Sequence, residues 1–521
     1  MSRIKIPAFG ENEFFENREN NGSVVVVIPK AKSEAFSAYS DMLECKGFEK
    51  KEFRSTDKQL YAAYFDGESA VFLNFFETVN ELYIVIEENC KYFSYTDAST
   101  DTCVSPTLTQ MGLEDYGMSY VVRLSDGRFV VIDGGRDFEP DREKLYDHLI
   151  KTTPHEKPVI AAWIMSHPHS DHFHLFVGFT DSYGDKVVIE KFIFNFPEYD
   201  DLEHYPKLAS SSSNFDYNNS SVVWIPKMLE NIEKIGAPVY TAHTGQIYKI
   251  GDATFEILAS MDDTIHLSDN INATSLIMRM ELAGQTVLWS TDGSYSISKL
   301  PEKYGEYLRS DILQVPHHGF QSGTAEGEIK GYKLIKPRVC FLPVSDFNAY
   351  SALSTHKKGT RFLMSCADID EIITDGTHTV TLPYTPPSYG KAEIERKYLM
   401  GLDSCGANTW VFTELNTSCP EDFEFSLLNM THIKPKVWID LYFEDKSMCI
   451  RHIQTELAPL SMRRISIVGE DVDPDVQYYN WLSLKKQGIP EDVPFSVRFL
   501  CETPIIVSNK KHKAAYYSQN R

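Results

Sequence analysis

The chain has 521 residues, 42% hydrophobic and 24% charged, which is too long for a single hydrophobic core and ordinary for a folded multidomain protein. Its formal net charge of −23 repels polyanions, so nucleic acid is not an expected partner. No run approaches the ~18 apolar residues of a membrane span, the N-terminus lacks the apolar core of a secretion signal, and the nine cysteines contain no C-x-x-C pair; a cytoplasmic protein without membrane contact is expected.

The first twenty or so residues, MSRIKIPAFGENEFFENREN, are polar and read as irregular. GSVVVVIP then reads as a strand, and SEAFSAYSDMLECKGF as an amphipathic helix with Ser33 as its cap. FEKKEFR, QLYAAYF and AVFLNFFETVNELYIVIEE follow, the last long enough for two strands. This order implies a small α+β domain over residues 1–100. It holds no catalytic cluster.

From residue 103 to 388 strands and helices alternate. SYVVRLSDGRFVVIDGG reads as a hairpin turning at Asp126-Gly127 and ending on Asp133-Gly134-Gly135. PDREKLYDHLIKTT reads as a helix. KPVIAAWIM reads as a strand buried on both faces and runs into SHPHSDH, which concentrates His167, His169, Asp171 and His172. Imidazole and carboxylate are usual ligands of zinc and its transition-metal neighbours. A turn there points His167 and His169 at one ion, and Asp171 and His172 at a second. FHLFVGF can then start a helix, and KVVIEKFIFNF reads as a further strand. Residues 197–221 are polar and aromatic, a long loop of the lid or binding type. Its Tyr199, Tyr205, Phe215 and Tyr217 suit a cage for a quaternary ammonium group or a stack for a base, and equally suit packing the loop down. VVWIPKMLENIEKIG reads as a helix, and PVYTA, TFEILAS, SLIMRMEL and QTVLWSTD as strands. TVLWSTDG ends on Asp292 and DILQVPHHG on His317 and His318. Each stands where an apolar strand runs out, which is how an α/β sheet gathers distant residues onto one rim. Residues 395–521 are strand-like runs split by polar turns and read as a β-sandwich.

The order DGG, HPHSDH, TDG, VPHHG resembles the metallo-β-lactamase superfamily. Within it, VPHHGF is similar to the branch containing the hydrolase domain of competence DNA-uptake proteins and the phosphorylcholine esterases, and DEIITDGTHTVTLPY is similar to that branch's closing strands. Over residues 103–388 the resemblance implies an α/β fold, an αββα sandwich with a dinuclear metal site on one edge. It implies that His167 and His169 hold one ion, that Asp171, His172 and His318 hold the other, and that Asp292 bridges them. His317 is implied beside the ions as a substrate contact or proton donor. The superfamily usually adds a further histidine on the first ion. Here that neighbourhood reads HLSDNINATSLIM, and Asn272, Thr274, His266 and the more distant His243 stay open as candidates.

Two divalent ions are expected, zinc first, with manganese or ferrous iron as alternatives. Such a site holds a hydroxide and attacks phosphorus or carbonyl carbon. The branch favours a small phosphoester or phosphodiester, with Asp171 orienting and His317 transferring a proton. Lactone, amide or ester hydrolysis on the same residues is one alternative, and a non-catalytic metal-bound sensor or scaffold another. The runs LLNMT, VWIDLYFED and FLCETPIIVS resemble the sandwich of sensory-rhodopsin-transducer-like proteins. That likeness implies an accessory ligand-binding module or one through which the chain forms a homo-oligomer.

Overall fold

A computed structural model of the chain describes residues 13–16, 23–87, 103–115, 117–197, 223–265, 267, 270–320, 324–344, 363, 369–374, 376–386, 407–429, 434–459, 461–467 and 489–512. The chain divides into two compact units, Met1–Ser345 with Glu371–Tyr384, and Asp346–Asp370 with Thr385–Arg521.

The first unit opens with six strands: β1 (Glu13–Glu16), β2 (Ser23–Pro29), β3 (Glu49–Ser55), β4 (Gln59–Phe65), β5 (Ala70–Phe76) and β6 (Glu81–Glu87). They form an antiparallel sheet in the order β1-β2-β6-β5-β4-β3. The strand β1 corrects the irregular N-terminus expected from polarity: Glu13–Glu16 pairs with Val24–Val27 of β2, a partner that local composition does not reveal. Helix α1 (Ser33–Cys45) buries Phe36, Tyr39 and Leu43 at helical spacing. Its N-cap is Lys32, without a side-chain cap, so Ser33 is the first helical residue and not the cap.

The central domain is a sandwich of two sheets. One contains β7 (Thr107–Gln110), β8 (Ser119–Arg123), β9 (Phe129–Asp133), β10 (Val159–Ile164), β11 (Val188–Ile189), β12 (Phe192–Phe194) and β13 (Val239–Thr241). The other contains β14 (Ile247–Ile250), β15 (Ala253–Ala259), β16 (Ile277–Leu282), β17 (Gln285–Trp289), β18 (Ile312–Gln314), β19 (Val339–Phe341) and β20 (Glu371–Ile373). A last strand, β21 (His378–Thr381), returns to the first sheet beside β7, giving β13-β12-β10-β9-β8-β7-β21 against β14-β15-β16-β17-β18-β19-β20. KVVIEKFIFNF is thus two short strands, β11 and β12, both laid along β10.

Between the sheets lies one apolar layer that includes Tyr120, Ile132, Ile164, Phe255, Met278 and Trp289. Each fully buried aliphatic side chain there contributes about 1.5–3 kcal/mol. Helices α2 (Glu139–Thr152), α3 (Ser170–Tyr183) and Ile225–Ile235 cover the outer face of the first sheet around Trp163. Helix Ala325–Ile335 joins the parallel strands β18 and β19 of the second sheet, so helices flank both sheets in the αββα arrangement. Among the described residues no helix is long and apolar enough to cross a membrane.

The second unit contains β22 (Ala407–Asn416), β23 (Glu424–Asn429), β24 (Lys436–Phe443), β25 (Ile450–Glu456), β26 (Ser461–Ser466) and β27 (Pro494–Asn509). The 16-residue β27 pairs β24 through Phe495–Cys501 and β23 through Ile506–Asn509. One strand therefore serves both layers of a sandwich whose core includes Phe425, Ile439, Val497 and Phe499.

Candidate metal centre

The parallel strands β9, β10 and β12 end on one rim, and so do β17 and β18. Asp133, the SHPHSDH segment, Asp292 and the HHG segment all leave the sandwich there. Four non-glycine residues of this rim hold a left-handed backbone: Asp133 (φ 56°), Thr291 (φ 47°), His317 (φ 49°) and His318 (φ 50°). Such conformations cost of order 1–3 kcal/mol each and persist only where surrounding contacts hold them.

Here the contacts are specific. Thr291 N–H donates to Gln314 Oε1 at 2.5 Å and its hydroxyl to Leu276 O at 2.6 Å, while Thr291 O accepts His317 N–H at 2.8 Å. A turn made by Thr291 thereby aims Asp292 and anchors the histidine pair. The two histidines make their own turn before Gly319 (φ 80°).

The helix α3 begins at Ser170, so Asp171 and His172 stand on its first turn and only His167 and His169 belong to the loop before it. Two groups of donors result: His167, His169 and Asp292; and Asp171, His172 and His318, each with one ligand atom per residue within 4.8 Å of the others. Asp292 lies between the groups. Its Oδ2 is 3.3 Å from His172 Nε2 and 3.7 Å from His167 Nε2, and its Oδ1 is 3.6 Å from His318 Nε2. His318 Nε2 is 3.3 Å from Asp171 Oδ2 and 3.2 Å from His172 Nε2. All six side chains are buried. His317 is the outermost of the set, 22% exposed, with Nε2 3.7 Å from Asp292 Oδ2.

Burial is the largest influence on His167, Asp171, His172, Asp292, His317 and His318, and neighbouring charges decide which way each group finally moves. His172 is shifted well above the usual histidine range by Asp292, Asp133 and Asp171 despite burial, and His318 is raised by Asp292 and Asp171. His167 is pushed well below that range by burial and then by His172, and His317 is lowered by burial. Burial acts to raise the carboxyls of Asp292 and Asp171, yet the neighbouring histidines, His172 foremost, hold both below their ordinary values.

The donors fit a pair of divalent ions. Imidazole nitrogens and carboxylate oxygens converge, and Asp292 Oδ1 is buried without a hydrogen-bond partner, an unmet acceptor of the kind a cation satisfies.

Sequence reading missed the layer behind the ligands. Asp133 Oδ2 accepts from His172 Nδ1 at 2.8 Å and from the Ser166 hydroxyl at 2.8 Å, while Asp133 Oδ1 accepts Ser166 N–H at 2.7 Å. A carboxylate on the far nitrogen fixes the tautomer and ring direction of a ligating histidine. The DGG at a strand end was the available signal.

Of the candidates for the extra first-site ligand, the structure brings Asn272 to the cluster, with Oδ1 3.1 Å from His167 Nε2. Thr274 turns its hydroxyl to Ile271 O at 2.7 Å. His243 is bound elsewhere, to Asp262 Oδ2 at 2.7 Å and Ser23 Oγ at 3.0 Å. His266 and the loop aromatics Tyr199, Tyr205, Phe215 and Tyr217 lie outside the described residues.

Residues 112–256 match the metallo-beta-lactamase superfamily. No curated protein matches the sequence. Among solved structures, the short form of human tRNase Z is similar over 53% of this chain and 100% of its own, at 11% identity and a TM-score of 0.29. A beta-lactamase domain protein from Burkholderia ambifaria is similar over 40% of this chain and 63% of its own, at 14% identity and a TM-score of 0.25. The Anabaena sensory rhodopsin transducer is similar over 21% of this chain and 86% of its own, at 19% identity and a TM-score of 0.17.

Proposed function

We propose that this chain, whose central domain belongs to the metallo-beta-lactamase superfamily over residues 112–256, is a metal-dependent hydrolase of small phosphoesters or phosphodiesters. The observation that carries the reading is the pair of buried donor groups flanking Asp292. Two divalent ions in such a site polarise an ester oxygen and supply a nucleophile at neutral pH. Zinc suits this nitrogen-rich set best, with manganese or ferrous iron as alternatives.

The chain's own residues divide the remaining work. Asp292 offers one oxygen toward His167 and His172 and the other toward His318, the disposition of a bridging carboxylate. Asp171 is held ionised by His172 and His318. A carboxylate so poor at taking a proton holds and orients, so proton transfer falls to His317. His317 is the most exposed of the rings and is kept neutral by burial, so it can exchange a proton with a substrate oxygen at the mouth. The buried walls restrict water and strengthen each of these interactions.

What supports phosphorus over carbonyl carbon is the VPHHGF segment. Described cysteines are free thiols, in keeping with a reducing cytoplasm. We assign the C-terminal sandwich an accessory role in oligomerisation or ligand binding.

The test is hydrolysis of bis-p-nitrophenyl phosphate and p-nitrophenyl phosphorylcholine, beside carboxylic esters and lactones, with and without added zinc or manganese. Metal-dependent turnover of a phosphorus ester is expected. Turnover confined to the carbonyl substrates moves the chemistry to the alternative ester class, and no turnover by ion-loaded protein overturns the hydrolase reading.

A further inference from the structure

Asn272 touches both the inner cluster and its mouth. Its Oδ1 is 3.1 Å from His167 Nε2, and its Nδ2 is 2.9 Å from His317 Nε2. The side chain is buried. Its backbone is held in the short turn Ile271–Thr274, with Asn272 N–H donating to Asn270 Oδ1 at 3.0 Å and Asn272 O accepting Ser275 N–H at 3.2 Å.

An amide wedged between two imidazoles has two orientations with opposite consequences. With the oxygen toward His167, the NH2 group donates to His317 Nε2. That nitrogen must then be the unprotonated one, and the ring proton sits on Nδ1. Reversed, the oxygen accepts Nε2–H of His317, and the proton leaves Nδ1. The environment distinguishes the ends. A cation held by His167 would attract the amide oxygen and repel the NH2 group. The other side of His317 leaves the choice to the amide: its Nδ1 is buried without a hydrogen-bond partner, so nothing there holds either tautomer against Asn272.

We infer that Asn272 is a positioning residue that sets the tautomer of His317: its oxygen faces the ion position beside His167, its NH2 group donates to His317 Nε2, and His317 presents its proton on Nδ1 to an oxygen of the substrate or leaving group. The role given to that proton rests on the hydrolase reading; the tautomer rests only on ion binding at His167. Loading the first site and preparing His317 are then one event, linked through a single amide.

The experiment is nitrogen-15 NMR of the full chain carrying labelled histidine, with the His317 signals assigned by loss in His317→Gln, recorded after chelation and after addition of zinc alone. In zinc-loaded wild type, His317 Nδ1 is expected to be the protonated nitrogen and Nε2 the bare one. In Asn272→Asp the carboxylate can only accept, so the proton moves to Nε2, bound zinc is retained, and turnover falls roughly 10²-fold. If zinc-loaded wild type already protonates Nε2, or if Asn272→Asp leaves the tautomer unchanged, the inference is overturned. The wild-type comparison decides the matter even if the variant fails to fold. A tautomer switch in protein that hydrolyses no phosphorus ester sinks the proposed function and leaves this inference standing. Hydrolysis without the switch does the reverse.

Discussion

At the scale of single residues the cluster separates ligands from groups that aim them. Asp292→Ala removes the carboxylate between two cations and leaves them in mutual repulsion, so both bound metal and turnover are expected to fall; metal analysis beside an assay reads this, and retention of both makes Asp292 a strand-end group only. His318, with Nε2 between Asp171 and Asp292, is expected to behave as a ligand, and His318→Ala to weaken metal binding. His317→Ala is expected to keep its metal and lose about 10²–10⁴ in rate, the usual contribution of a proton-transfer group. If the two variants exchange these outcomes, their roles are reversed. Asp133→Asn keeps the shape behind His172 but loses the charge on its Nδ1; metal affinity should drop about 10–100-fold, measured by competition with a chromogenic chelator. An unchanged affinity would reduce Asp133 to a fold residue.

At the scale of elements, a buried polar seam joins the N-terminal sheet to the central domain. Tyr83 of β6 donates to Asp263 Oδ1 at 2.7 Å, Lys303 Nζ donates to the same oxygen at 2.5 Å, and Thr244 donates to Oδ2. On β3, Arg54 pairs with Glu256 of β15 at 2.5 Å and lies over the Tyr307 ring at 4.0 Å. Breaking a buried pair by removing one partner costs about 3–5 kcal/mol because the other charge stays buried. Lys303→Met is therefore expected to lower the thermal midpoint of the full chain well beyond an exposed Lys→Met control, and equal midpoints would show the seam to be neutral. The sign of its pH dependence follows from Asp263. Burial acts to raise this carboxyl, and Lys303 leads the groups that bring it below the ordinary value in the folded chain. Its contribution is present above the unfolded value of about 4 and is lost as pH falls through the folded one. The wild-type midpoint should thus drop in acid more steeply than that of Lys303→Met.

For the whole molecule, the centre draws ligands from strand ends of both sheets of the sandwich, so bound ions tie the sheets together. Anything that binds the folded chain alone stabilises it by mass action, about 2.7 kcal/mol at a hundredfold excess over Kd. Chelation should lower the calorimetric midpoint of the first unit's transition and added zinc should restore it. Loading is expected in two steps, because Asp171 adds a second carboxylate to the group with His172 and His318, whereas beside His167 stands the neutral amide oxygen of Asn272. A neutral oxygen offsets no charge, so the His167 site should fill second. A titration that shows two equal sites would contradict this ranking.

What the sequence determined by itself was whatever depends on short spacing and on strands that end in chemistry. SHPHSDH, TDG and VPHHG each sit just past an apolar run, and the period of the flanking residues set the strands and helices around them; the six proposed ligands and their division between two ions came with the family resemblance that these motifs carry. Strand Ile247–Ile250 and β1 escaped the reading because four residues are too few to show a period, and strand Ala407–Asn416 because its partner, β27, lies far along the chain. Tertiary structure decided the rest. It selected Asn272 over Thr274 and His243, because β16 follows directly on Asn272's turn while β13 delivers His243 to the seam with Ser23 and Asp262. It gave Asp133 its task by bringing β9 beside β10. It also bent Thr291, His317 and His318 into conformations that local preference opposes, held by the bonds of Thr291 to Gln314, Leu276 and His317. Local preference is written residue by residue, but the contacts that override it exist only once distant strands have been placed side by side.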